Sequence, residues 1–502
     1  MKNIVNKILG CLLLVAGLSS CADSKDVITF KDDNLIKESF GGIGVEWGTY
    51  EDTNKLIPDY QQKIIKAVDY LKPSIVRCMF NYDWIMDNLD DKGNDNKDDD
   101  TWTYNFASAK FNDLCEVLDY CQDHDIDVAF GGWNVIGNAD ETLDIWDMIK
   151  DNTADIRWAK MTKDILDYLV NKKGYTCIKW FVNTNEPNWT GTIGSSKMAY
   201  NTYAKWEQGV RNVREALDSV NLQNVDIVGG DTTGFGEVAL EYLSNISTNL
   251  TSVVNNYGAH FYVGNIDLAE NKFKDNLTAL YNGIKANDSR LGKTVPFYIW
   301  ESGLLDGKNV ETDCQAFIQN YNYGYRMADY TLQAVLSGID GVCYWDLDDA
   351  MHFMYTNGIM TPKEWGMFST LASASIKDQE YRPWYYSSVL LSHALKKTNL
   401  VYKPNMDTDL NIVASKTCDH ENGYILAVNH TQNPIEAKLL LESAVKNNEK
   451  TYVYIYKEGY LTLDQNGKIA PTQVINKSIN NILDITIPNN SLVVISSCPI
   501  GE

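Results

Sequence analysis

Two glutamates, Glu186 and Glu301, each close an apolar run of β type. The first lies in Asn185-Glu186-Pro187-Asn188 and the second in Trp300-Glu301-Ser302-Gly303. Other runs of the same type carry Glu46, Arg77, Trp133, His260-Phe261-Tyr262 and Tyr344-Trp345-Asp346 at or near their ends. A period of two puts His260 and Tyr262 on one face. Two carboxyls at one site can divide a reaction between them, one protonating a leaving oxygen while the other meets a cation-like centre. Acetal cleavage needs that division, and at a separation of about 5–5.5 Å it passes through a covalent intermediate. The six histidines show no metal-ligand spacing, and no Gly-rich dinucleotide fingerprint follows the first run. No metal and no cofactor are therefore expected.

Eight elements would have to position these residues. The apolar runs are Gly42–Glu46, Ser74–Phe80, Asp127–Trp133, Ile178–Glu186, Val225–Asp231, Asn256–Tyr262, Phe297–Glu301 and Gly341–Asp346. Between them lie helical patterns: Ile64, Ile65, Val68, Leu71; then Phe111, Leu114, Val117, Leu118, Cys121 with Ser108 as N-cap; then Ile165, Leu166, Leu169, Val170. Tyr203, Trp206, Val210, Val213 and Phe273, Leu277, Leu280, Ile284 continue the series. Strand–helix alternation implies parallel pairing with right-handed crossovers. Eight units favour a closed (β/α)₈ barrel, an α/β fold in which working residues project from the C-terminal strand ends. After about Leu400 the period changes to two, as in Tyr452–Tyr456 and Leu483–Ile487, with turns at Asp464-Gln465-Asn466-Gly467 and Pro488-Asn489-Asn490. That predicts a C-terminal antiparallel β-sandwich, to which Val27–Phe30 adds a strand. The expected division is 1–20 signal peptide, 21–38 linker and sandwich strand, 39–385 barrel and 386–502 sandwich.

Asn-Glu-Pro at the fourth strand with Glu301 at the seventh resembles the clan A retaining glycoside hydrolases, over roughly residues 40–380. The sandwich resembles families 30 and 39 of that clan, and the Asn-Glu-Pro sequence is shared with family 5. The resemblance implies that Arg77 on strand two and Tyr262 on strand six support the nucleophile. It also implies that His260 and Trp345 line the subsite beside the cleaved bond. Glu186 would then be acid first and base second, Glu301 the nucleophile held as an anion beside Arg77, and Asn185 the partner of the sugar 2-hydroxyl. The implied reaction is hydrolysis of a β-type linkage in a polysaccharide or oligosaccharide. A rival of another class is a surface glycan-binding lipoprotein that kept the barrel and lost turnover. Retention of both carboxyls argues against that rival.

Thirteen Trp and thirty Tyr supply many amphipathic rings. Trp47, Trp84, Trp133, Trp189 and Trp365 fall where they would stack on pyranose faces, against an even chance of packing, whereas Trp158, Trp180 and Trp206 read as core. Glu46, Asp348 and Asp349 would bond sugar hydroxyls, or else cap and solvate loops. The acidic run Asp87–Asp100 fails the EF-hand pattern and reads as a solvated loop, with a structural Ca²⁺ the alternative. A net charge of −23 repels phosphate backbones, so nucleic acid is not an expected partner. Lys2 and Lys7 precede an apolar stretch from Ile8 to Leu18, too short to span a bilayer, that ends in Leu18-Ser19-Ser20-Cys21. This resembles the lipobox of bacterial lipoproteins, with Cys11 a weaker rival site and an ordinary secretory signal the alternative. Lipidation at Cys21 would anchor an exported protein at the outer membrane or cell surface. Cys78, Cys177 and Cys343 read as buried thiols, and Cys418 and Cys498 as a pair the compartment would permit. Oligomeric state has no signal in the sequence.

Overall fold

The computed structural model describes residues 26–48, 60–80, 84–85, 104–132, 153–154, 156–188, 192–193, 196–197, 202–290, 295–349, 353–356, 359–362, 364–369 and 381–501. Cys21, Trp133, Trp189 and the acidic run 87–100 lie outside the described residues.

Eight parallel strands form the barrel: β1 (Gly42–Glu46), β2 (Ile75–Phe80), β3 (Asp127–Gly132), β4 (Ile178–Val182), β5 (Asp226–Ile227 and Gly230–Thr233), β6 (Tyr257–Val263), β7 (Phe297–Leu304) and β8 (Gly341–Tyr344). Their order in space follows the chain, and β8 pairs with β1. The ring closes at β5, whose first piece pairs with β4 and whose second pairs with β6. Eight helices alternate with the strands: α1 (Tyr60–Leu71), α2 (Ala109–Asp123), α3 (Ile156–Leu166), α4 (Tyr203–Asp218), α5 (Glu237–Asn249), α6 (Lys272–Asn287), α7 (Tyr321–Leu336) and α8 (Pro383–Ala394). The expected helical stripes face inward; in α2, Phe111, Leu114, Val117, Leu118 and Cys121 are all buried. Ser108 caps that helix, its Oγ accepting the Phe111 N–H at 3.2 Å.

The barrel lumen is filled below its mouth. Ile75, Met79, Ala129, Val182, Val228 and Cys343 surround three rings, Trp180, Tyr298 and Trp300, whose centroids lie 4.9–5.2 Å apart. Gly258 is required here, because a Cβ would meet the Trp300 indole at 2.5 Å. The polar chemistry is thereby confined to the rim above an apolar aromatic floor.

Two bulges decide what reaches that rim. Between β6 and β7 the register passes from Ala259↔Ile299 to His260↔Glu301, making Trp300 an extra residue. Between β5 and β6 it passes from Gly230↔Gly258 to Thr232↔Ala259, making Asp231 the extra residue, in the left-handed region at φ +57°. A bulge interrupts the period-two alternation and re-aims the side chains beyond it. Trp300 joins the lumen floor and its neighbour Glu301 the rim.

The C-terminal part is the expected sandwich. Its larger sheet has seven antiparallel strands in the order Leu35–Lys37, Leu400–Tyr402, Asn411–Lys416, Gly423–Asn429, Ser491–Ser496, Thr451–Tyr456 and Gln473–Ile475. Val27–Phe30, Ile435–Leu441 and Leu483–Ile487 form the second sheet, the first pair parallel. Leu483, Ile485 and Ile487 are buried while Asp484 and Thr486 are exposed, the alternation of a sheet with one wet face. The other face of the large sheet packs on the barrel through α7 and α8; Tyr456 Oη reaches the Tyr321 carbonyl at 3.3 Å. Helix α8 runs on to Ala394, across the boundary at 385/386 read from the sequence. Cys418 and Cys498 do not pair. The Cys418 thiol sits against Thr398 Oγ1 and that of Cys498 beside Tyr424 Oη, each at 3.5 Å.

Candidate active site

Arg77, on β2 and fully buried, is the hub of the barrel mouth. Its Nη1 donates to Glu46 Oε2 at 2.6 Å and to Glu301 Oε1 at 2.8 Å. Its Nη2 donates to Asn185 Oδ1 at 2.6 Å and Asp231 Oδ2 at 3.0 Å. One guanidinium thus gathers side chains from β1, the loop after β4, β5 and β7. His260 is the second hub, also fully buried. Its Nδ1 lies 3.0 Å from Glu186 Oε1 and 3.4 Å from Glu301 Oε2, and its Nε2 lies 2.8 Å from Asp231 Oδ1. Tyr262 Oη donates to Glu301 Oε2 at 3.0 Å. Gly303, two residues beyond Glu301, leaves room for this arrangement; a Cβ there would meet the Tyr262 ring at 2.8 Å.

Glu186 is not on a strand. It lies in the loop after β4 at φ +44°, and that loop is stapled to β5. The Glu186 N–H donates to the Asp231 carbonyl at 3.1 Å. Asn188 accepts the Thr233 N–H at 2.8 Å and donates to the Thr233 carbonyl at 3.0 Å. One carboxylate oxygen each from Glu186 and Glu301, with a ring nitrogen of His260, fall within 4.8 Å of one another. Among the described residues this is the group that could offer three ligand atoms to a metal ion. Its atoms already face one another: His260 Nδ1 hydrogen-bonds Glu186 Oε1, and Glu301 Oε2 lies 3.4 Å from the same nitrogen.

Electrostatics follow from burial and pairing. Burial pushes the Glu46 carboxyl up to about 8; Arg77 opposes this and Glu301 adds to it. Among the described residues only Oε2 of Glu46 is bonded, and Oε1 is buried without a partner, which suits a protonated acid. Burial also raises Glu301 above the ordinary carboxylate range, His260 and Arg77 pulling it down and Glu186 pushing it up. Both Glu301 oxygens accept hydrogen bonds, so protonation there displaces a donor. Burial would raise Asp231, but His260 and Arg77 outweigh it and hold that carboxyl below its ordinary value.

Glu186, Glu301, Arg77, His260, Tyr262 and Asn185 are therefore brought together. Glu46 joins them in a different capacity from a ligand for sugar hydroxyls: it is fully buried and spends its bonded oxygen on Arg77. Trp47 is turned into the core, 2% exposed and edge-on to Tyr120 at 5.5 Å, and is no stacking platform. Trp84 is buried too, and Trp365 packs edge-on against Tyr262 at 5.6 Å. Trp345 directly follows β8 and is 7% exposed. Asp349 holds the buried Arg382, a loop anchor in place of a sugar contact. Asp231 is the member of this cluster that the sequence pattern does not point to. Its position at the end of the fifth run was the available signal, but a bulge cannot be read from alternation.

No protein-family model matches the chain, and no curated protein matches it. Solved structures do. It is similar to a GH30 endoxylanase from Clostridium papyrosolvens C71 (TM-score 0.60, 12% identity, 94% of this chain and 99% of that one). A GH39 β-xylosidase from Caulobacter crescentus matches with TM-score 0.60 and 15% identity over 94% of this chain and 100% of that one. An α-L-arabinofuranosidase from Thermotoga maritima matches with TM-score 0.60 and 13% identity over 94% and 99%. The chain has the fold of these glycoside hydrolases, barrel and sandwich together. The resemblance to clan A holds at the level of fold.

The raised Glu46 carboxyl has a measurable consequence. Between the ordinary 4.5 and about 8 the folded chain keeps a proton that the unfolded chain has released. The stability from that proton is complete below 4.5 and is lost as pH rises through about 8. Glu46→Gln, which mimics the protonated acid, should make the denaturation midpoint decline less steeply than in the wild type from pH 5 to 8. Parallel curves for the two proteins would refute a protonated Glu46.

Proposed function

We propose that this protein is a retaining glycoside hydrolase acting on β-type or equatorially equivalent linkages in oligosaccharides or polysaccharides. Glu186 is the acid/base and Glu301 the nucleophile. The observation that carries this reading is the approach of the two carboxylates, oxygen to oxygen within 4.8 Å, at one rim of a barrel. That falls in the short-separation class, where the second carboxylate attacks carbon; inverting enzymes leave about 6.5–9.5 Å for a water.

The remaining groups fit the two steps. Arg77 and Tyr262 hold one Glu301 oxygen each and fix the direction of attack. Esterification of Glu301 removes its charge, and Glu186 then loses a like-charged neighbour as it turns from acid to base. Asn185 spends Oδ1 on Arg77, and its Nδ2 has no partner among the described residues, leaving a donor for the sugar 2-hydroxyl. The activities of the similar structures suggest the first panel: aryl β-xylosides and α-L-arabinofuranosides.

On whichever glycoside is cleaved, Glu301→Gln should abolish turnover. Glu186→Ala should keep a burst with good leaving groups and regain rate with added azide, yielding a glycosyl azide of retained configuration. Near-normal rates for Glu301→Gln would overturn the nucleophile assignment.

We also propose export and anchoring through lipidated Cys21. Cys21→Ala in the full-length chain should abolish labelling by a fatty acid and release the protein from membranes; unchanged labelling would refute the site.

A further inference from the structure

Asp231 stands behind both glutamates. It is 1% exposed, and the bulge that makes it the extra residue of β5 turns its side chain between two cations. An ionised carboxylate can only accept hydrogen bonds. Oδ2 accepts from Arg77, so Oδ1, at 2.8 Å from His260 Nε2, requires that nitrogen to carry a proton. Nδ1 then faces Glu186 Oε1 and Glu301 Oε2. A bare lone pair there would oppose two carboxylate oxygens, so a second proton belongs on Nδ1. Glu186 Oε1 is thereby held, and Oε2 has no partner among the described residues.

We propose that Asp231 is a positioning residue: it keeps His260 doubly protonated, so that Nδ1–H pins Oε1 of Glu186 and reserves Oε2 for the reaction proton. In the first step the Oε2–H bond breaks and its proton passes to the glycosidic oxygen. That oxygen leaves with the bonding pair as a Glu301 oxygen bonds to the anomeric carbon. In the second step Oε2 takes a proton from water as the water oxygen bonds to that carbon and the Glu301 ester breaks. The Nδ1 proton stays in place throughout. The groups acting on the ring are Asp231, Glu301, Glu186 and Glu46, and Arg77 is bonded to Asp231, Glu301 and Glu46. Burial alone would discharge the imidazole, but Asp231 and Glu301 outweigh it and hold it at about 10. The consequence for Glu186 rests on the hydrolase reading; the protonation of the ring does not.

Ring ¹⁵N resonances of histidine-labelled protein test the ring directly, and the wild type alone suffices. His260 should show both nitrogens protonated through pH 8, and in Asp231→Asn the ring should lose a proton at least about two pH units earlier. A neutral wild-type ring at pH 7 would overturn the proposal. Kinetics test the consequence with two aryl glycosides of one sugar, bearing 2,4-dinitrophenol and 4-methylphenol. Asp231→Asn should lower kcat/KM about 100-fold on the methylphenyl substrate, which needs the acid, and under about tenfold on the dinitrophenyl substrate. Equal losses on both would mean general disruption of the site and would overturn the role through Glu186. Absence of turnover by the wild type, with a doubly protonated ring, would refute the hydrolase reading and the role through Glu186 while upholding the ring assignment.

Discussion

A buried guanidinium without anions is too costly to keep, and Arg77 is the charge that the barrel mouth is built to satisfy. It has no exposed surface, and its acceptors come from β1, the loop after β4, β5 and β7. No single hairpin or helix could deliver four such groups to one point. A closed ring of parallel strands can, because every strand ends at the same rim. Glu46, Glu301, Asp231 and Glu186 place four carboxyls around Arg77 and the His260 ring. Burial removes one of those negative charges by lifting the Glu46 carboxyl to about 8.

Much of this was legible in the residues. Parallel strands separated by amphipathic helices announce a barrel, and in a barrel strand ends are where polar side chains meet. Glu301, Arg77, His260 and Tyr262 could be picked out on that ground, and Glu186 from its Asn-Glu-Pro setting. What stayed hidden depended on local departures from regularity. Asp231 enters the site because one extra residue in β5 changes the parity of the strand, and composition does not register a bulge. Glu46 sits at a strand end like the others, yet that position does not say whether a carboxyl meets solvent or an arginine. Trp47 had the right address for a sugar platform, but its ring turns to Tyr120. Cys418 and Cys498 share one domain without sharing a bond, since co-residence in a sandwich does not bring two Cβ atoms within bonding range.

The rest of the molecule stiffens this arrangement. The aromatic floor of Trp180, Tyr298 and Trp300 gives the rim an apolar base, and a low-polarity setting strengthens ionic contacts. The stapling of the Glu186 loop to β5 matters as much, because a carboxyl on a free loop would not stay within reach of its partner. The sandwich contributes at a distance by bracing α7 and α8 against the barrel.

The most direct measurement is to trap the proposed intermediate. An activated 2-deoxy-2-fluoro glycoside of the accepted sugar should add one glycosyl mass to the intact protein, and peptide mapping should find it on Glu301. A label on Glu46, Asp231 or Glu186 would contradict the account, as would inverted configuration in the first product formed from a natural linkage.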